Sequence, residues 1–170
     1  MEIYLIRHGL AGQHGDYSDD TIRPLTSEGV KKTTKVAKQL LKQGLSFEIV
    51  LTSPLRRARQ TAEILIKVGL SDRLEEFSPL APGGEIQAWV KWYTQWYSNG
   101  GKGTIALVGH EPDLSCWAEL LVWGEAKEKF SLKKAGAIGL QVPEIQQPIG
   151  ESELFLLISP KWLLLADGDR

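Results

Sequence analysis

A chain of 170 residues, 42% hydrophobic and 24% charged, has the length of one domain and enough apolar material for a core, which excludes intrinsic disorder. Its 20 basic and 21 acidic residues give a formal net charge of -1 and form no long basic block, which argues against non-specific nucleic-acid binding. With Cys116 as the one cysteine, a single chain makes neither an internal disulfide nor a multi-cysteine metal cage.

The first residues carry no long apolar secretory segment, and no apolar run approaches the roughly 20 residues of a membrane-spanning helix. A cytoplasmic protein with no membrane partner is expected. In chain order, Ile3-Tyr4-Leu5-Ile6 reads as a buried strand that delivers Arg7, His8 and Gly9 at its end. Residues 13–20 form a polar loop. Thr26 can cap a helix beginning near Ser27, with Glu28 in the first turn opposite the exposed amide dipoles. Val30, Ala37, Leu40 and Leu41 supply part of that helix's apolar face.

A second strand is expected at 47–52. Ser53-Pro54 then signals a helix start, since serine can accept a backbone amide and proline occupies a position that needs no donor. This sets Arg57 in the first helical turns, with Ala58, Ala62 and Leu65 on the general packing side. Arg56 and Arg59 lie about 100° and 200° around such a helix from Arg57, so the basic cluster does not act as one patch. Residues 78–84 make a turn-rich segment suited to the border of a site.

Ile86, Trp89, Val90, Tyr93, Trp96 and Tyr97 recur at spacings of three and four, the pattern of a core-facing helix rather than a base-stacking platform. Residues 104–108 repeat the apolar strand pattern and end at Gly109-His110. Leu114, Trp117, Leu120 and Leu121 mark a further helix. Residues 124–134 are charged and expected to be exposed. Strands at 135–142 and 154–158 follow, and Trp162 is expected to dock. Strands alternating with helices, without a flexible linker, predict one three-layer α/β domain over 1–170.

Two arginines and two histidines therefore fall at element ends, where they can converge on a phosphate. The glycines of 99–104 lack the spacing of a Walker loop, and no dinucleotide fingerprint is present, so neither ATP nor NAD is assigned. His14 reads as an exposed loop residue. A zinc site of His8, His14 and His110 would leave unused the phosphate reading that accounts for two of them.

The segments Leu5-Ile6-Arg7-His8-Gly9, Arg23-Pro24-Leu25-Thr26, Thr52-Ser53-Pro54-Leu55-Arg56-Arg57-Ala58-Arg59-Gln60-Thr61-Ala62 and Val108-Gly109-His110-Glu111-Pro112 together resemble the histidine phosphatase superfamily. More narrowly, they resemble the short bacterial phosphohistidine phosphatases of the SixA type. The resemblance runs from Ile3 to about residue 160. It implies a mixed, mainly parallel sheet, a covalent phosphohistidine intermediate, and no metal or other cofactor.

On that resemblance His8 is the nucleophile, Arg7 and Arg57 clamp the phosphate, His110 supports the phosphoryl group, and Arg23 stands at the entrance or binds phosphate. A guanidinium presents a planar fork of donors to two phosphate oxygens, and a neutral imidazole attacks phosphorus without first forming an oxyanion. A phosphohistidine-containing protein is the leading substrate, with a small phosphate ester as the enzymatic alternative. A phosphate-recognising interaction domain without catalysis is the other alternative. Asp19-Asp20 and Glu75-Glu76 are candidate general acids, while the acid-bearing motif of the larger mutase-like branch is missing.

Overall fold

The computed structural model describes residues 1–165, so the domain expected over 1–170 runs into five residues outside the described part. Six strands form one sheet in the order β3-β2-β4-β1-β5-β6. They are β1 (Glu2–Arg7), β2 (Ile49–Thr52), β3 (Leu74–Glu76), β4 (Ile105–Gly109), β5 (Ala137–Gln141) and β6 (Glu153–Ile158). The pairs β1/β4, β2/β4 and β2/β3 are parallel, while β5 runs antiparallel to both β1 and β6. The sheet is thus mixed and mainly parallel, as expected.

Alternation along the strands creates the three layers. Ile3, Leu5, Ile49, Leu51, Ile105 and Leu107 face a core shared with α3 (Ile86–Ser98) and α4 (Asp113–Trp123). Tyr4, Ile6, Val50, Ala106 and Val108 face the opposite core, against α1 (Ser27–Lys42), α2 (Arg56–Val68) and α5 (Pro160–Leu165). The aromatic stripe of α3 behaves as its spacing predicts. Trp89 and Tyr93 are fully buried and stacked at 5.0 Å, and Trp96 and Tyr97 pack against the same core.

Three expectations need correction, and one strand lies outside them. Thr26 does cap α1, accepting the Gly29 amide at 2.9 Å, and Ala37 and Leu40 are buried, but Val30 and Leu41 are exposed. The buried stripe instead runs through Gly29, Thr33, Val36, Ala37 and Leu40. Helix α2 begins at Arg56 rather than at Ser53-Pro54, which frees Ser53 for another use. Trp162 is 66% exposed and does not dock. Strand β3 escapes the sequence reading because Leu74-Glu75-Glu76 is short, charged and partly exposed at a sheet edge. Among the described residues, no helix is long and apolar enough to cross a membrane.

Candidate active site

The carboxyl ends of β1, β2 and β4 open on one rim, the place where parallel α/β sheets commonly hold ligands. Register brings the expected residues together there. Arg7 pairs with Gly109, and the His8 amide donates to the Gly109 carbonyl at 3.0 Å, so His8 and His110 leave adjacent strands side by side. Their ring centroids are 5.1 Å apart, and both side chains are buried.

Gly9 is required by contact. A Cβ there would overlap the Thr33 hydroxyl of α1. The Gly9 amide donates to Thr61 Oγ1 at 3.0 Å, and Thr61 in turn donates to the Arg57 carbonyl at 2.8 Å, which ties the β1 loop to α2. His8 Nδ1 lies 2.7 Å from the Gly9 carbonyl. Because a carbonyl only accepts, Nδ1 carries the proton and Nε2 keeps its lone pair. Burial, reinforced by His110, Arg57 and Arg7, pushes the His8 pKa down to about 3 against a raising contribution from the Gly9 bond. The ring is neutral near pH 7, the state a nucleophile needs.

His110 Nε2 lies 2.8 Å from Ser53 Oγ, and that oxygen also accepts the Leu55 amide at 3.2 Å. Ser53 is fully buried. Its hydroxyl hydrogen has no other acceptor among the described residues, so it goes to Nε2 and leaves the His110 ring proton on Nδ1. The signal that reads in the sequence as a helix start is instead the residue that sets this tautomer. Burial, then Arg57, pushes the His110 pKa down to about 4, with Asp20 opposing.

Arg57, in the first turn of α2, is 4% exposed, and Arg7 donates through NH1 to the Leu132 carbonyl at 2.9 Å. Leu132 lies near the end of the 124–134 segment, which is exposed for most of its length as expected but is anchored from α4. The buried Glu119 carboxylate accepts the amides of Lys127, Glu128, Lys129 and Phe130, the last three at 2.7, 2.6 and 2.7 Å. Sequence reasoning misses that carboxylate, because one glutamate in an apolar helix carries no distinguishing pattern.

Arg23 reaches the site through Asp20. Arg23 Nε is 2.8 Å from Asp20 Oδ1, Arg57 NH2 is 3.0 Å from Asp20 Oδ2, and Arg57 NH1 donates to the Asp20 carbonyl at 2.9 Å. Hydrogen bonding from Arg23 leads the effects that hold the Asp20 carboxyl well below the usual carboxylate range, so it stands ionised. The other candidate acids are engaged elsewhere. Asp19 accepts the Thr21 amide, Glu75 pairs with Arg73, and Glu76 pairs with Arg59. Glu111 accepts from the Ser115 amide and hydroxyl and from the Leu132 amide. His14, 81% exposed, pairs with Asp20 and does not join the other histidines. Arg56 and Arg59 are exposed, away from Arg57.

Three buried nitrogens at this rim, Arg7 Nε, Arg57 Nε and His110 Nδ1, have no hydrogen-bond partner among the described residues. Buried donors left unpaired are costly, and an anion that accepts from all three would satisfy them.

Similarity to known proteins agrees with that chemistry. The pattern of the histidine phosphatase superfamily (branch 1) matches residues 3–113. The phosphohistidine phosphatase SixA of Escherichia coli is 31% identical over 144 residues, covering 82% of this chain and 86% of its own. An uncharacterized protein of Picosynechococcus sp. is 47% identical over 165 residues, covering 96% of this chain and 99% of its own. The structure of the protein histidine phosphatase SixA complexed with tungstate superposes with a TM-score of 0.82 at 26% identity, over 96% of this chain and 99% of that one. An anion-seeking rim on this sheet, carried by this sequence, makes the chain a phosphatase of the SixA type within the histidine phosphatase superfamily.

Proposed function

We propose that this chain acts as one domain that removes phosphate from phosphohistidine on a protein, in two transfers through His8 and without a metal ion. The observation that carries the reading is the trio of unpartnered buried nitrogens beside a neutral imidazole whose Nε2 is unprotonated. In the first step Nε2 of His8 attacks phosphorus. The substrate's phosphorus–nitrogen bond breaks, and its electron pair returns to the substrate imidazole, which takes up a proton from solvent. In the second, a water oxygen attacks the phosphorus on His8, the phosphorus–Nε2 bond breaks with its electrons returning to the ring, and the water's proton is released with inorganic phosphate.

Arg7, Arg57 and the Nδ1–H of His110 would donate to the phosphoryl oxygens as charge builds, and Arg23 would hold Asp20 and thereby Arg57. Such fixed donors act where transition-state charge develops, which is where phosphoryl transfer gains most. The placement of the carboxylates favours a nitrogen leaving group. Asp20 is ionised between arginines, and Asp19, Glu75, Glu76 and Glu111 have other partners. An imidazole leaving group has less need of a dedicated acid than an alkoxide.

Turnover of a phosphohistidine protein is to be compared with that of small phosphate esters. Higher kcat/KM on the protein is the expected result, and a reversed ranking would make this a small-molecule phosphomonoesterase. Phosphoprotein binding with no phosphate release would make it an interaction domain.

A further inference from the structure

A cleft of about 520 Å³ opens beside the catalytic rim, between α1, the segment entering β5 and the start of α5. Arg7 contributes to its lining, and Lys32, Lys133, Lys134 and Lys161 stand around it, with Glu28 as the one carboxylate among the described residues. Among the described residues, five cations against one anion is a large local imbalance in a chain whose overall charge is near zero. Lys134 joins the cleft to the rim. It is half-buried and has no hydrogen-bond or ion-pair partner among the described residues. Burial leads in lowering its pKa, followed by repulsion from Arg7, Arg23 and Arg57, which puts the ammonium within electrostatic reach of all three guanidiniums.

At the rim, Asp20 pairs with Arg23 and Arg57 and not with Lys134. An unpaired ammonium within electrostatic reach of three guanidiniums is unfavourable until an anion arrives. A single phosphoryl group between Arg7 and Arg57 leaves the lysine wall beyond it unanswered.

We propose that this cleft is a second anion subsite that binds aspartate or glutamate side chains flanking the phosphohistidine of the protein substrate, with Lys134 at the junction with the phosphoryl site. The proposal rests on the phosphohistidine reading and adds the sequence context that the enzyme selects. Lys32, Lys133 and Lys161 are exposed, so their flexible ammonium groups suit carboxylates on a protein surface better than a rigid enclosed metabolite. An exposed ion pair contributes up to about fivefold in affinity and is weakened by salt, so two or three such pairs yield selectivity that falls with ionic strength.

The test compares kcat/KM for two phosphohistidine peptides of one length, the first with Asp and Glu at the flanking positions and the second with Asn and Gln. The wild-type protein should prefer the acidic peptide about fivefold or more at low salt, mostly through KM. Lys134→Gln should reduce the preference to under about twofold, Lys134→Arg should retain it, and Lys161→Gln should reduce it in part. A wild-type ratio near one overturns the proposal, as does a preference that survives both glutamine variants. Phosphoramidate, too small to span the cleft, separates the two failures. If it and both peptides are hydrolysed with no preference, the subsite alone falls. If neither peptide is hydrolysed while p-nitrophenyl phosphate is, the phosphohistidine reading falls and the subsite with it.

Discussion

Replacing Ser53 by alanine removes a single oxygen, yet that oxygen sets the tautomer of His110 and so bears on the chemistry. In the wild-type protein Ser53 Oγ accepts the Leu55 amide at 3.2 Å and donates to His110 Nε2 over 2.8 Å. Alanine leaves the Leu55 amide without its acceptor and releases the imidazole from the Nδ1–H tautomer. Each buried polar group left unsatisfied costs about 1–3 kcal/mol, so urea denaturation should show a loss in that range or somewhat above it. The catalytic effect is separate. With the proton free to move to Nε2, His110 presents a lone pair rather than a donor from Nδ1, and a hydrogen bond to charged phosphate worth about 1.5–3 kcal/mol is lost. That predicts a fall of roughly 10- to 150-fold in kcat, together with weaker competitive inhibition by inorganic phosphate. Both are measured by steady-state kinetics at a temperature where the variant is folded. A folded Ser53→Ala protein with kcat and phosphate inhibition within twofold of wild type would refute the tautomer assignment.

Other consequences are equally direct. Burial first, and the nearby arginines next, depress His8 to about 3 and His110 to about 4, from an ordinary value near 6.5. The folded chain therefore keeps both rings neutral while the unfolded chain takes up protons. The stability this contributes is fully present above about pH 6.5 and is lost as pH falls towards 4 and then 3, by about 4 kcal/mol for the pair between pH 7 and pH 5. Urea titrations should show that slope, and a His8→Asn/His110→Asn double variant that keeps it would contradict the assignment. Glu119→Gln replaces two acceptor oxygens by one and sets an amino group against backbone donors, so it should cost roughly 2–5 kcal/mol and raise KM by loosening the loop that holds Arg7. Incubation with EDTA should leave kcat unchanged. Loss of activity restored by one particular metal would mean that the histidines serve a different chemistry.

Much of the fold and of the site is legible in the sequence. Continuous apolar runs mark the central strands because both their faces are buried, and the residues at the ends of three of them read as convergent because parallel sheets gather such ends on one rim. Arg7, His8, Arg57 and His110 stand out on those grounds together with the family resemblance, and all four lie at that rim. Side-chain direction is less legible. Val30 and Leu41 fit an apolar pattern but point outward, since the stripe of α1 is set by the close approach of Gly29 to the Leu10 carbonyl. Ser53 reads as a helix start although α2 begins at Arg56, and its use by His110 depends on a contact between residues 57 positions apart. Asp20 is one of several acidic residues, and its bridge between Arg23 and Arg57 exists only once the loop packs against α2.

The central claim is that phosphate passes through His8. A protein bearing radiolabelled phosphohistidine, mixed with the enzyme and quenched on the millisecond scale, tests it when the acid-labile, alkali-stable label is mapped by peptide analysis. Transient label on His8 that decays as inorganic phosphate appears is the predicted result. Dephosphorylation of the donor with no label on His8, under conditions shown to trap a short-lived phosphoenzyme, would contradict it.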